Sequence, residues 1–405
     1  MTSSGNRLEF GMFFAPMHYW RQNPTRMLHR DLETIQYAET LGFIEAWVGE
    51  HHSGGHEVVG PTEVFLAAAV ERTKRIRLGT GVVSLPYHHP FHVAERAVLL
   101  DHLSMGRTML GVGPGSLPTD AAMMGIGWSE TRRRMVESWE AVYELLTSEA
   151  PVTKKTDWFE LHEAALQLAP FSQPTMEYAF TAMESPFGPS LAGTYGGSLI
   201  SLSATTATGF AALARHWAVV EEMSAKHGHV ANRDTWRVVA MCHVAETAEQ
   251  ARDEVARGLP AFANYSAFVS ERTFSWMEAP DPSAVTAPPT VEDMIAAFGG
   301  TQIACIGTPD DAVAMIQNLL NVTGGFGKVL LLQGMDWASQ EANNRSLELF
   351  SREVMPVFQG SFRPLGASVD RVTATRQARV AEQRESIKVA QESYSGTGFS
   401  DGASS

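Results

Sequence analysis

The sequence predicts an α/β protein, a (β/α)8 barrel of the TIM type with insertions and a C-terminal extension. Three observations carry that reading. Short apolar runs alternate with helix-length amphipathic segments, the pattern of parallel strands joined by crossover helices. Eight such runs occur along the chain, which favours a closed barrel over an open doubly wound sheet. Hydrophobic residues make up 44% of the 405, enough for one large core, and a barrel with insertions reaches this length as a single domain.

Residues 8–15 (LEFGMFFA) read as the first strand. Asn23 and Pro24 supply an N-cap and a first-position proline, and 25–41 has helical spacing that Gly42 ends. Residues 45–48 form the second strand, 61–72 a helix, 76–84 the third strand and 91–103 a helix closed by the turn Ser104-Met105-Gly106. The fourth strand covers 108–112. A glycine-rich loop, a strong helix over 130–146 and an irregular stretch to Pro174 follow, the last read as an excursion outside the barrel. Strands five, six and seven fall at 178–182, 198–202 and 236–244, with helices over 209–227 and 248–258. The proline- and aromatic-rich segment 259–300 is too long for a plain connection and reads as a cover loop. Thr308-Pro309-Asp310-Asp311 caps another helix, 328–332 is the last strand and 338–354 the last helix. Beyond Pro356 the composition turns polar, giving a peripheral helix over 369–391 and a Ser/Gly-rich disordered tail from Ser393. The predicted organisation is a barrel over 1–360, with a lid at 259–300, followed by a helix and tail over 361–405.

Thirty-one basic against 45 acidic residues leave a net charge of −14, which excludes a broad phosphate-backbone interface, so nucleic acid is not expected as a partner. Cys242 and Cys305 each lie in an apolar β-like run and read as small core residues, which excludes a disulfide framework. The first residues contain no apolar signal core, and no window of about 18 residues is free of polar interruption, so no membrane span is expected and the cytoplasm is the expected compartment.

In a barrel the strand C-terminal ends form the active face. After the second strand stands Glu50-His51-His52-Ser53-Gly54-Gly55, the densest polar group following any strand. Imidazole titrates near neutrality, so paired histidines and a glutamate at a barrel mouth point to acid–base work. Metal binding is the rival reading, but no HExxH or CxxC spacing accompanies the pair and no metal is expected. After the third strand, residues 78–86 (LGTGVVSLP) place glycines where a planar ligand approaches the backbone or where a strand bulges. After the fourth, 111–116 (GVGPGS) resembles a dinucleotide loop, but Pro114 breaks the spacing. Asp120 beyond it either orients a histidine or ring nitrogen or caps a helix. After the fifth, 183–190 (MESPFGPS) offers hydroxyls at a helix start, a phosphate site or a simple cap. Thr131-Arg132-Arg133-Arg134 is a source of a cation or a solvated face. Methionines near strand ends, among them Met12 and Met17, are core or, with Phe14, Tyr19 and Trp20, line an adaptable apolar pocket.

The order of these motifs is similar to that of the bacterial luciferase-like flavin-dependent monooxygenases. GFIEAWVGEHHSGG (42–55), IRLGTGVVSLPYHHP (76–90), LDHLSMGR (100–107), GVGPG (111–115), the helix around Arg133 to Trp139 and IGTPDDA (306–312) carry the resemblance over roughly residues 7–360. EHHSGG, the GTGVVSLPYHHP run and the GGFG of 324–327 most resemble the limonene 1,2-monooxygenase branch. The resemblance implies a TIM barrel holding reduced FMN or FAD at its mouth, supplied by a separate reductase, with dioxygen and a small apolar substrate. Either terpene-like alkene epoxidation or Baeyer–Villiger oxidation of a ketone fits, and a homodimer is implied.

By motif position His51 matches the family's catalytic histidine, with His52 behind it, and Asp120 an aspartate near the flavin ring. Gly81-Val82 lies where the family carries a non-prolyl cis peptide behind that ring, and Arg133, Glu184 and Ser185 match phosphate-side positions. Gly113, also on the cofactor side, stands where the luciferase α subunit has a reactive cysteine, and Pro114 where it has an arginine, so light emission from aldehydes is not expected. The other readings are a deazaflavin-dependent hydride-transfer oxidoreductase of the same superfamily, a non-catalytic flavin-binding barrel and a metal-dependent hydrolase.

Overall fold

The computed structural model describes residues 7–18, 22–55, 57–205, 207–260, 262, 290, 292 and 304–395. It divides into two compact units, Met1–Met355 and Pro356–Ser405. The first holds twelve strands among the described residues: β1 (Glu9–Phe14), β2 (Glu45–Val48), β3 (Arg77–Thr80), β4 (Val83–Ser84), β5 (Thr108–Gly113), β6 (Val152–Lys155), β7 (Glu160–Ala164), β8 (Glu177–Ala182), β9 (Ser198–Ser201), β10 (Trp236–Val244), β11 (Ala304–Gly307) and β12 (Lys328–Gln333). Eight of them pair in parallel in the order β1-β2-β3-β5-β8-β9-β10-β12, and β12 pairs back onto β1, closing the sheet. Phe14 therefore stands opposite both Val48 and Gln333. This is the predicted (β/α)8 barrel.

Its helices are α1 (Pro24–Leu41), α2 (Thr62–Arg72), α3 (Pro90–Ser104), α4 (Pro118–Met123), α5 (Thr131–Thr147), α6 (Phe187–Tyr195), α7 (Ala207–His227), α8 (Ala248–Val255), α9 (Pro309–Thr323) and α10 (Gln340–Leu349). The cap residues work as the sequence implies. Asn23 accepts from the Arg26 N–H to open α1, and Gly42 closes it at φ 91°. Thr308 and Asp311 form a capping box on α9.

Within the barrel unit three expectations needed revision. The third strand is two pieces, β3 and β4, parted at Gly81-Val82, whose peptide bond is cis. The excursion before Pro174 contains a hairpin: β6 and β7 pair antiparallel. It escaped prediction because only Val152, Phe159 and Leu161 turn inward there, too few for a period-2 signal. The last helix keeps its α-turns only to Leu349 and widens into a π-turn over Phe350–Val354.

The barrel is plugged at its N-terminal end and open at the other. Arg237, fully buried at the start of β10, donates to both oxygens of Glu45 at 2.6 and 3.0 Å and reaches Glu177 at 2.8 Å. Its guanidinium lies 4.9 Å over the Trp47 ring, whose Nε1 also donates to Glu45. Buried charges persist when paired and hydrogen-bonded in this way. Above that floor Trp47 fills the interior: a Cβ on Gly79 would sit 2.3 Å from its ring. Gly79 is thus an accommodation for Trp47 and not for a ligand.

The second unit contains the helix Arg363–Ser395, which starts before the predicted 369 and runs into the segment expected to be disordered. Most of the 259–300 segment and residues 396–405 lie outside the described residues. No helix among the described residues is long and apolar enough to cross a membrane.

Candidate active site

After β2 the chain makes a tight excursion and returns. Gly54 and Gly55 adopt φ of 85° and 76°, a left-handed pair that side chains with a Cβ rarely take up. The His51 N–H then reaches the Val59 carbonyl at 3.1 Å, and Glu57 forms a backbone bridge with Met17. The result places the Glu57 carboxylate against His51, which is six positions earlier. His51 Nε2 lies 3.0 Å from Glu57 Oε2, and His51 Nδ1 lies 3.1 Å from Asp120 Oδ2. Asp120, in the first turn of α4, also accepts from Ser53 Oγ at 2.5 Å and from the His52 N–H at 3.2 Å.

Burial disfavours the charged ring of His51, but Glu57 and Asp120 outweigh it, and its pKa is raised. Burial opposes charge on Asp120 as well, yet bonds from His51 and Ser53 hold its pKa below the usual value. Glu57 has no such donors among the described residues, so burial prevails, helped by the Asp120 charge, and pushes its carboxyl up.

A cavity of about 550 Å³ opens at the strand C-terminal ends, within the range of small-molecule sites. One side is polar, with His51, Glu57, Ser84, Arg132, Glu184 and Ser185. The other side is apolar and comes from the β1, β9, β10 and β12 ends, with Phe13, Met17, Leu202, Met241, Phe262 and Leu332.

Of the eight residues given catalytic or cofactor-binding roles from the sequence, His51, Gly81, Val82, Glu184 and Ser185 stand in the wall of this one cavity. Three do not reach it. Asp120 is buried behind His51 and is bonded to that ring. Gly113 backs Val82: a Cβ there would come within 2.8 Å of Val82 Cγ2, so its smallness seats the cis peptide segment and makes no surface. Arg133 points to the protein exterior, tied to Asp157 at 2.8 and 2.9 Å and to Glu137 at 2.8 Å. The wall cation is its neighbour Arg132, whose guanidinium sits 5.9 Å over the Phe187 ring and makes no salt bridge among the described residues. Pro114 also lines the cavity.

Glu50 organises the same mouth from below. Its Oε1 accepts from His52 Nε2 and His88 Nε2, both at 2.9 Å, and its Oε2 from the Ser84 N–H at 3.3 Å. Burial opposes its charge, but the two imidazoles lower its pKa. The three side chains have the spacing of a metal site. Arg96 Nη2 approaches His88 Nδ1 at 3.5 Å, and since guanidinium only donates, the His88 hydrogen belongs on Nε2, facing Glu50. The proton arrangement is that of a hydrogen-bonded clamp joining the loops after β2 and β4.

A second polar cluster fixes the loop after β1. His18 joins Asp31 at 2.7 Å and Asp336 at 3.2 Å, while Arg30 reaches Asp336 at 2.6 Å. This holds the segment that delivers Met17 to the cavity. Neither this cluster nor Glu57 was read from the sequence. The Gly54-Gly55 pair was the available signal for Glu57, since it announces a reversal that brings the following residues back.

The profile of the luciferase-like monooxygenase family matches residues 8–325. The chain belongs to that family. It is 46% identical over 364 residues to limonene 1,2-monooxygenase of Rhodococcus erythropolis, covering 90% of each chain. It is 42% identical over 381 residues to 4-hydroxyprotoasukamycin monooxygenase of Streptomyces nodosus subsp. asukaensis, covering 93% of this chain and all of the relative. Among solved structures, the oxygenating constituent of 3,6-diketocamphane monooxygenase from Pseudomonas putida, in complex with FMN, superposes with a TM-score of 0.70 at 22% identity over 86% of this chain and 98% of that one. At that identity the superposition speaks to the luciferase-like fold alone.

Proposed function

We propose that this luciferase-like protein is a flavin-dependent monooxygenase that places one oxygen atom of O2 into a small apolar substrate, an alkene or a cyclic ketone. The observation that carries the reading is one cavity that joins an acid–base histidine, a wall at Gly81-Val82, a cation and an apolar flank. These residues fit a reduced flavin. Gly81 and Val82 would back its ring, and Arg132 and Ser185 at the start of α6 would face its phosphate, a setting that suits the single phosphate of FMN. Bound there, reduced flavin supplies two electrons to dioxygen.

His51 would hold or give a proton at Nε2, beside reacting oxygen, while Asp120 fixes the ring through Nδ1. The apolar flank orients a substrate by shape and keeps water from that oxygen. The reduced flavin would come from a separate reductase, since the glycine-rich loop after β5 lacks dinucleotide spacing. The reading includes a homodimer, for which Val64 on α2 and Leu99 and Leu103 on α3 offer exposed apolar side chains. It also includes a reducing, cytoplasmic setting, which suits two free buried cysteines.

The test supplies reduced FMN from an added flavin reductase, ¹⁸O2, and limonene as probe. Oxygen uptake and one ¹⁸O in the product are expected. His51→Ala should keep flavin affinity, lose about 10²- to 10⁴-fold in product formation and release hydrogen peroxide; unchanged coupling would refute the role of His51. Flavin oxidation by an alcohol or ketone couple with no oxygen uptake would favour the deazaflavin reading instead.

A further inference from the structure

Glu50 stands between the two walls that must face one ring if a flavin sits in this cavity. Its Oε1 accepts from His52 Nε2 and His88 Nε2, both at 2.9 Å, and its Oε2 accepts from the Ser84 N–H at 3.3 Å. His52 carries the first contact onward. Its backbone N–H donates to Asp120 Oδ1 at 3.2 Å, and Asp120 Oδ2 meets His51 Nδ1 at 3.1 Å. Ser84 carries the second, since it ends β4 two residues after Val82 and pairs with Gly113 of β5. His51 and Val82, at the two ends of this chain of bonds, both line the cavity.

We infer that Glu50 is a positioning residue for the reaction, an assignment that rests on the monooxygenase reading: its two carboxylate oxygens fix the His51 side of the cavity against the Gly81-Val82 side, so that the acid–base ring and the wall behind the flavin keep one separation.

The surroundings suit Glu50 to holding and not to proton transfer. Its side chain has 0% exposure. Arg96 Nη2 lies 3.5 Å from His88 Nδ1, which puts the His88 hydrogen on Nε2, and the Ser84 N–H can only donate. Donors on both oxygens keep Glu50 a carboxylate with no proton to give. Bonds to a charged acceptor are about twice as strong as neutral ones, and a buried network whose members are satisfied is rigid. His52 is itself a fixed arm: its ring meets Tyr87 edge-on at 5.9 Å, and a Cβ on Gly60 would come within 3.5 Å of its Nδ1. Misplacing a reacting group by about 1 Å costs on the order of 10²-fold in rate, which is the scale of what the clamp protects.

Two substitutions separate the two sides. In Glu50→Gln the amide oxygen has to face the His88 hydrogen, so the amide NH2 confronts the Ser84 N–H, donor against donor. His52→Ala instead cuts the arm toward Asp120 and keeps the Ser84 bond. The test compares both with the unaltered full chain by amide exchange at Ser84 and at position 52 in the flavin-free protein, by FMN affinity from fluorescence quenching, and by product and hydrogen peroxide per reduced FMN consumed, with limonene as probe. Glu50→Gln should speed exchange at Ser84 and weaken FMN binding, each about tenfold, with a smaller loss of coupling. His52→Ala should speed exchange at position 52 and lower product per FMN about tenfold as peroxide rises, with a smaller loss of affinity. Glu50→Asp keeps the charge but is one methylene too short to reach both loops, so it should show both defects, where a role of charge alone would leave it near the parent. Unchanged Ser84 exchange in Glu50→Gln overturns the assignment, and so do variants that lose affinity and coupling in the same proportion. If the unaltered protein oxygenates no limonene, the substrate reading fails while FMN affinity and the two exchange rates still decide the clamp. Should Glu50→Gln fold poorly, His52→Ala decides alone: a loss of coupling that exceeds the loss of affinity supports positioning, and equal losses overturn it.

Discussion

Replacing Arg237 with methionine removes the cation that closes the barrel floor while keeping most of its volume. Glu45 would then be a fully buried carboxylate with the Trp47 N–H as its remaining donor, whereas Glu177 would keep Arg77 at 2.5 Å. Removing one partner of a buried pair costs about 3–5 kcal/mol, because the other charge is stranded. The barrel unit spans 355 residues, and at about 2.1 cal/mol/K per residue its unfolding entropy is roughly 0.75 kcal/mol/K. A loss of about 4 kcal/mol therefore lowers the melting temperature by about 5 °C. The pH dependence has a definite sign. A stranded buried carboxylate binds a proton more tightly folded than unfolded, so the gap to the unaltered protein narrows toward acid and widens toward alkali. The double variant Arg237→Met/Glu45→Gln should recover more than half of the loss, since no stranded charge remains. Calorimetry with circular dichroism checks both. A single variant melting within about 1 °C of the parent, or a double variant that melts no higher than the single one, would sink the argument that pairing governs this floor.

Two further outcomes follow from particular side chains. Arg132→Ala should weaken FMN binding about tenfold, the equivalent of roughly 1.4 kcal/mol for one lost charge-assisted contact, while Arg133→Ala should leave it unchanged; fluorescence quenching of FMN measures both, and equal effects would reverse the assignment. Burial opposes charge on His18, but Asp31 and Asp336 raise its pKa to about 9. A raised folded value means its contribution is complete below about pH 6.5 and fades as pH climbs through 9. His18→Gln should therefore be clearly less stable than the parent at pH 6.5 and close to it above pH 9.5, as urea titrations would record; a constant difference across that range would contradict the pairing.

Much of this architecture was legible because strands and helices write their periods into neighbouring residues. The runs at 8–15, 45–48, 108–112 and 236–244 became β1, β2, β5 and β10 within a residue or two, since each strand is buried on both faces and so reads as a continuous apolar stretch. The hairpin β6/β7 was illegible for the opposite reason: its strands are mostly exposed and carry little apolar signal. Among residues of the cavity wall, His51 and Gly81-Val82 were legible because each directly follows or interrupts a barrel strand, where the fold itself aims residues at the mouth.

Arg132 and Arg133 show where local reading ends. Adjacent helical residues point about 100° apart, and which one meets the cavity depends on how α5 is rotated against the barrel, a matter set by Trp139, Val142 and Leu146 packing inward. Glu57 meets His51 because two left-handed glycines and a bridge to Met17 fold ten residues back on themselves. The sequence by itself determined the alternation of strands and helices, the closed parallel sheet and the histidine at its mouth, because those depend on periods and on position relative to a strand. Only the tertiary structure decided which carboxylates face that histidine and which arginine faces the cavity, because side-chain encounter depends on helix rotation and loop closure, quantities that no local period encodes.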